Sequence, residues 1–155
     1  MIVEKEQLLK AFNDYEVYLA SLNTAVKTDA EAHTPIAEGK WSIAQIIMHL
    51  AEWDRFMREQ RLPQMQQGAR VEKLPDADKF NEAAVEPVAR MKFLEVLAHA
   101  QRQRALFSQA IEEMDEARWH AHFHIGSKEM DAASYFEGIL QHDAHHRKQI
   151  DDFLA

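Results

Sequence analysis

From Glu4 to about Val26 the apolar residues Leu8, Phe12, Tyr15, Leu19, Leu22 and Val26 alternate spacings of four and three. That rhythm is one stripe of a long helix in a bundle. The chain therefore reads as a helical bundle. At 155 residues it is long enough for one domain with a real core and too short for two comfortable ones. Residues 1–155 are expected to form a single domain.

The rest of the chain supplies three partners for that helix. Thr28 to Lys40, with Pro35 and Gly39 among small and polar residues, reads as a linker. Ser42 then caps a second helix, with Gln45 completing a capping box and Trp41 and Ile46 at the positions of a hydrophobic staple. Its inner face runs Ile43, Ile46, Ile47, Leu50, Trp53, Phe56 and Met57, and His49 falls inside that face. The stretch from Leu62 to Pro75, with Pro63, Gly68 and several glutamines, is expected to be an exposed crossover, and Asp76 to Ala84 a short helical turn.

A third long helix is predicted from Pro87 to about Met114, carrying Phe93, Leu97, Ala100, Phe107, Ile111 and Met114, with Arg104 interrupting the stripe. The acidic run Glu112, Glu113, Asp115 and Glu116 opposes the helix dipole and marks its end. Trp119 to Ile125 alternates apolar residues with histidine before Gly126, the pattern of a short extended segment or loop. Asp131 caps a last helix, with Met130 and Tyr135 as its staple pair. The expected fold is all-α, a four-helix bundle with a long crossover connection.

Composition narrows the chemistry. There is no cysteine, so disulfides, thiolate nucleophiles and cysteine-ligated zinc are excluded, and any reacting thiol must arrive with a substrate. A net charge of -8 argues against a nucleic-acid partner. No segment approaches the roughly 20 apolar residues of a membrane span, and the start at Met1-Ile2-Val3 has no signal-peptide pattern. A cytoplasmic protein is the expectation. Nine histidines are then the main metal-ligand resource.

Three of them stand out. His142 and His146, four apart on the last helix, project from one face about one turn from each other, the spacing at which the HExxH motif offers two imidazoles to one ion. The glutamate of that motif is missing, since Asp143 and Ala144 follow His142. His49 is the third candidate, because an imidazole inside an apolar face needs a hydrogen bond or an ion to offset a cost of about 1–3 kcal/mol. Together they would hold one divalent metal, zinc, nickel or iron(II), with a coordination position open. The residues alone leave a purely structural role for the trio equally open.

Other residues carry two readings each. Glu52, one turn beyond His49, is the candidate catalytic residue, as general base or as orienter of a ligand, against a solvated helix position. His145 reads as a rim histidine or a fourth ligand, and Asp143 as an exposed charge. His120, His122 and His124 read as exposed loop residues, or as groups at the mouth of the pocket. Trp53 and Tyr135 are expected to pack the core. Arg104 pairs with a buried carboxylate or recognises an anionic substrate.

Trp41-Ser42-Ile43 leading into His49-Leu50, Phe80-Asn81 before a long helix, and His142-Asp143-Ala144-His145-His146-Arg147-Lys148-Gln149-Ile150 together resemble the DinB/YfiT-like superfamily. The resemblance spans essentially the whole chain. It implies a four-helix bundle with a long crossover and a metal held by one histidine of the second helix and an HxxxH pair of the fourth, positions matched by His49, His142 and His146. It also implies a transferase that activates a low-molecular-weight thiol, bacillithiol- or mycothiol-like, for conjugation to an electrophile in detoxification or stress response. Family members often form homodimers. A metal-dependent hydrolase of a small substrate and a non-catalytic, metal-stabilised binding module are the alternatives.

Overall fold

The computed structural model describes residues 4–74 and 76–155. Met1-Ile2-Val3 and Pro75, on which the readings of the chain start and of the crossover partly rest, lie outside the described residues. In chain order the helices are α1 (Lys5–Ala25), one-turn α2 (Asp29–Ala32), α3 (Ile43–Phe56), α4 (Ala77–Val85), α5 (Phe93–Glu112), short α6 (Glu116–His120) and α7 (Ala132–Leu154). Strands β1 (Arg70–Val71), β2 (Phe123–Ile125) and β3 (Lys128–Met130) complete the chain. The four long helices α1, α3, α5 and α7 form the bundle.

Side-chain pairs fix how these helices run. Lys5 reaches the carbonyl of Glu112 while Phe12 packs on Phe107 at 5.4 Å, so α1 and α5 are antiparallel. Glu52 pairs with His99 and Arg58 with Gln103, so α3 and α5 run in the same direction. Two parallel neighbours cannot be joined by a tight turn, which is why the chain spends residues 57–92 on a crossover. The expected long connection is thus a geometric necessity of the topology.

That crossover is more structured than its proline and glutamine content suggests. α3 runs into a π-helical turn at Met57–Arg61 and a 3₁₀ turn at Leu62–Gln64. β1 then joins a three-stranded sheet of order β1-β2-β3, parallel to β2, with β2 antiparallel to β3. The β2–β3 turn needs Gly126, whose φ of 60° suits the first central position of a two-residue hairpin. The extended reading of Trp119 to Ile125 holds for Phe123–Ile125, whereas Trp119 and His120 close α6.

Three boundaries differ from expectation. Thr28–Lys40 contains α2, because the Thr28 hydroxyl accepts from the Glu31 N–H and makes a cap where only a linker was read. The third long helix starts at Phe93 and not at Pro87, since Glu86–Arg90 is a 3₁₀ turn and the Glu95 side chain caps the Lys92 N–H. α5 does stop at the acidic run, at Glu112, but Asp115 and Glu116 then open another helix: the Asp115 carboxylate accepts from the Arg118 N–H and starts α6, with Glu116 in its favourable first turn.

The start of α3 is as predicted. Ser42 accepts from the Gln45 N–H at 3.2 Å, and Gln45 accepts from the Ser42 N–H at 2.9 Å. Ser42→Ala is expected to lower stability by about 1 kcal/mol, read as a shift in urea midpoint with unchanged slope.

Two apolar clusters fill the bundle. One gathers Leu19, Leu22, Ile43, Ile47, Val96 and Ile150, the other Leu8, Phe12, Phe107, Trp119, Phe123 and Phe136. Arg104 lies fully buried among them, its guanidinium 4.4 Å from the Phe12 ring and 4.1 Å from that of Tyr15. It donates to both oxygens of Asp54 at 2.7 and 3.0 Å and to both of Asp143 at 2.8 and 3.1 Å. Asp143 is therefore no exposed charge, being 8% exposed. One cation touches residues of all four long helices, so Arg104 serves buried carboxylates rather than an anionic substrate.

Candidate metal centre

α3 and α7 face each other across the bundle, and His49 from one meets His142 and His146 from the other. One ring nitrogen of each lies within 4.8 Å of one from both others. The ring centres of His49 stand 5.4 Å from His142 and 5.2 Å from His146. His49 is 4% exposed and His146 9%, while His142 lies at the solvent edge. The trio is buried on one side and accessible on the other.

The donor set fits a divalent ion. The two Nε2 atoms of His142 and His146 are 3.1 Å apart, close to the roughly 3.3 Å that two nitrogens about 2.0–2.1 Å from one tetrahedral ion would keep. His146 Nδ1 donates to Gln149 Oε1 at 2.8 Å, which leaves its Nε2 as the bare lone pair facing the site. His49 Nδ1 is buried with no hydrogen-bond partner, an expense that a ligand would remove.

Electrostatics point the same way. Burial, followed by the neighbouring imidazoles of His146 and His142, pushes His49 down to about 4. Burial also lowers His142, and lowers His146 against the opposing bond to Gln149. All three are neutral near pH 7, the state in which imidazole binds a metal.

A pocket of about 310 Å³ opens beside the trio. His49 and His142 form one side, and Trp53, Met57, Asn81, Tyr135, Gly138 and Ile139 the rest. Trp53 and Tyr135 pack against the core as expected, and their half-buried faces also wall the pocket. The Trp53 ring packs at 4.5 Å, tilted, on Phe80 of α4 and donates its indole N–H to Asn81 Oδ1 at 2.8 Å, tying α4 over α3. Burial lifts Tyr135 to about 12, so its hydroxyl keeps its proton.

The remaining candidates lie elsewhere. Glu52 accepts from His99 Nε2 at 2.8 Å and does not line the pocket. His145, exposed with its ring 5.2 Å from that of His146, sits at the rim. His122 and His124 share Glu129 at 3.1 and 3.7 Å on the hairpin, and His120 closes α6, all away from the trio. Gln149, Asn81 and His99 are the partners that sequence reasoning did not assign. Gln149 had a usable signal, three residues after His146 on the same face; Asn81 was in view only as part of the Phe80-Asn81 motif of the resemblance, and His99 had no signal, since its partner comes from another helix.

Comparison with known proteins places this geometry. A solved structure of YfiT from Bacillus subtilis, described as "a probable metal-dependent hydrolase with an unusual four-helix bundle topology", superposes with a TM-score of 0.76. At 19% identity, the match covers 97% of this chain and 87% of that one, and it shows a shared fold. No curated protein matches the chain. No helix among the described residues is long and apolar enough to cross a membrane. The model of the DinB superfamily matches residues 7–150, from the first turn of α1 into the last turns of α7, and the chain belongs to that superfamily.

Proposed function

We propose that the chain is a metal-dependent enzyme in which His49, His142 and His146 hold one divalent ion and a small thiol is joined to an electrophile in the adjoining pocket. The observation that carries this reading is the pocket itself: lone pairs of three neutral imidazoles beside it, and no carboxylate or cation among the described residues that line it. A bound divalent ion supplies a position where a thiol or a water molecule ionises near neutral pH.

A thiol begins at about 8.5, so it needs little help to ionise and no carboxylate base. Its proton leaves on the accessible side, past His142. Sulfur then forms the new bond to carbon, and the leaving group departs with the electron pair of the broken bond. The apolar wall of Trp53, Met57 and Ile139 excludes water from the electrophile. A chain without cysteine brings no competing thiolate of its own. Zinc, nickel and iron(II) all suit three imidazoles, and a detoxifying or stress-related conjugation suits the pocket.

The description of YfiT favours hydrolysis as a second reading. Water is a weaker acid than a thiol, and its attack benefits from a base that also delivers a proton to the leaving group. Glu52 is the carboxylate one turn from His49, and it would have to exchange its bond with His99 for that duty. Glu52→Gln separates the readings: thiol transfer stays within about twofold of wild type, while hydrolysis falls by about 100-fold or more.

The direct test is protein purified without an affinity tag, its metal measured by elemental analysis, then assayed with a panel of thiols and model electrophiles. Turnover that requires both is expected. Turnover without thiol selects hydrolysis. No turnover, with a melting temperature that drops on chelation, leaves a metal-stabilised binding module.

A further inference from the structure

We propose that the Asn81 amide and the Tyr135 hydroxyl form a two-donor site for an uncharged, carbonyl-type oxygen on the electrophile that this pocket takes. The inference deepens the thiol-transfer reading and rests on it for the word electrophile. Its structural basis is independent of that reading.

Asn81 is oriented by a neighbour that can only donate. The Trp53 indole N–H gives its hydrogen bond to Asn81 Oδ1, so the amide NH₂ points away from Trp53. The Asn81 side chain lies close enough to His49 to act on its ring, and one of the two N–H groups of the amide is enough for that neighbour, which leaves the other for a ligand. The frame is stiff, because Phe80, the residue before Asn81, packs its ring tilted against Trp53 and lies 5.4 Å from Phe56.

Tyr135 comes to the same cavity from α7, two turns before His142, and no described residue bonds its hydroxyl. Gly138 lies between them. A side chain there would meet nothing within 4 Å, so its absence keeps that wall open. A glycine inside a helix costs about 1 kcal/mol relative to alanine.

Two unpaired donors in an otherwise apolar wall select an acceptor. With no cation or carboxylate lining the cavity among the described residues, the acceptor is neutral before reaction. When sulfur adds to a carbonyl-activated carbon, negative charge grows on the oxygen, where such donors act most strongly. The substrate class is therefore a compact, apolar molecule activated by a carbonyl group, such as an acyl derivative whose leaving group departs as the carbonyl re-forms.

The test compares cyclohexanone with methylenecyclohexane, which share a shape and differ in the acceptor. Affinities are measured by tryptophan fluorescence or by NMR on metal-replete wild type, Tyr135→Phe, Asn81→Asp and the double variant. Asn81→Asp keeps the acceptor for Trp53 and removes the donors. The ratio of ketone to hydrocarbon affinity should fall about threefold in each single variant and about tenfold in the double one, with metal content unchanged.

A ratio unchanged within twofold overturns the proposal, as does no measurable ketone binding to wild type. A fall that appears only together with lost metal also overturns it and makes these residues supports of the ligands. Binding requires no turnover, so a chain that never conjugates a thiol can still show the preference. A conjugating chain with unchanged ratios refutes the donor pair alone.

Discussion

Alanine in place of His142 is expected to abolish metal retention, if the proposed trio holds the ion. Two imidazoles on one helix, or one from each of two helices, seldom hold a divalent ion, and removing any of the three leaves only a pair. Loss of a partner behind a ligand already costs about 10–100-fold in affinity. Gln149→Leu, which removes the acceptor that fixes the His146 tautomer, should fall in that range, and His142→Ala, His146→Ala or His49→Ala should exceed it. Elemental analysis after gel filtration should give near-stoichiometric metal for wild type and less than about a tenth of that for each alanine variant. Chelation should lower the melting temperature of wild type, because an ion that binds only the folded state stabilises it by mass action. The same chelator should leave His142→Ala unmoved. Full metal content in that variant would end the three-histidine assignment.

Acid should act on the metal-free protein in a defined window. The unfolded chain takes up a proton on His49 near 6.5, whereas burial holds the folded imidazole neutral down to about 4. Between those values the unfolded state binds more protons, so stability falls as the pH is lowered through the window. His49→Gln should flatten this dependence, measured as unfolding free energy against pH.

The bundle and the histidine trio were legible because both depend on patterns along single helices. The stripe of α1, the Ser42–Gln45 box and the i,i+4 pair of His142 and His146 each need only local geometry. His49 was legible for a different reason: an imidazole inside an apolar face announces a missing partner. What stayed hidden depends on contacts between distant segments. Asp143 looks like any helix charge until Arg104, 39 residues away, is brought against it. The acidic run after α5 carries the same residues whether it ends one helix or begins another, and the side-chain cap at Asp115 decides. Of the strands, β2 showed its alternation at Phe123–Ile125, whereas β1 and β3 have two and three residues and no hydrophobic period to detect. Trp53 and Tyr135 sit on apolar faces as core residues do, and only the placement of α4 and the gap at Gly138 make them pocket walls.

Arg104→Met should be the most damaging single change outside the proposed metal ligands. It keeps a long apolar side chain in place, so lost packing is small, but it leaves Asp54 and Asp143 facing one another without their shared cation. Removing one partner from a buried ion pair costs about 3–5 kcal/mol, because the remaining charge has neither water nor counter-charge. The loss should depend on pH in a direction opposite to that of His49. Burial already lifts Asp54 to about 6 against the pull of Arg104, and without the guanidinium it rises further. A folded carboxyl that holds its proton above the unfolded value of 3.8 gives stability that is present in acid and lost as pH rises through the folded value. Arg104→Met should therefore lie closer to wild type at pH 4 than at pH 8 in urea titrations. Substituting all three residues with apolar ones, Arg104→Met with Asp54→Leu and Asp143→Leu, should recover most of the loss, since such replacements are often neutral or stabilising. The triple variant then asks what the ion network is for. Asp54 follows His49 by five residues on α3, and Asp143 adjoins His142 on α7, so the same bidentate bonds that join these helices fix the separation of the ligands. A triple variant as stable as wild type that binds metal about 10-fold more weakly would assign the network to positioning the site. Equal affinity would confine it to the core.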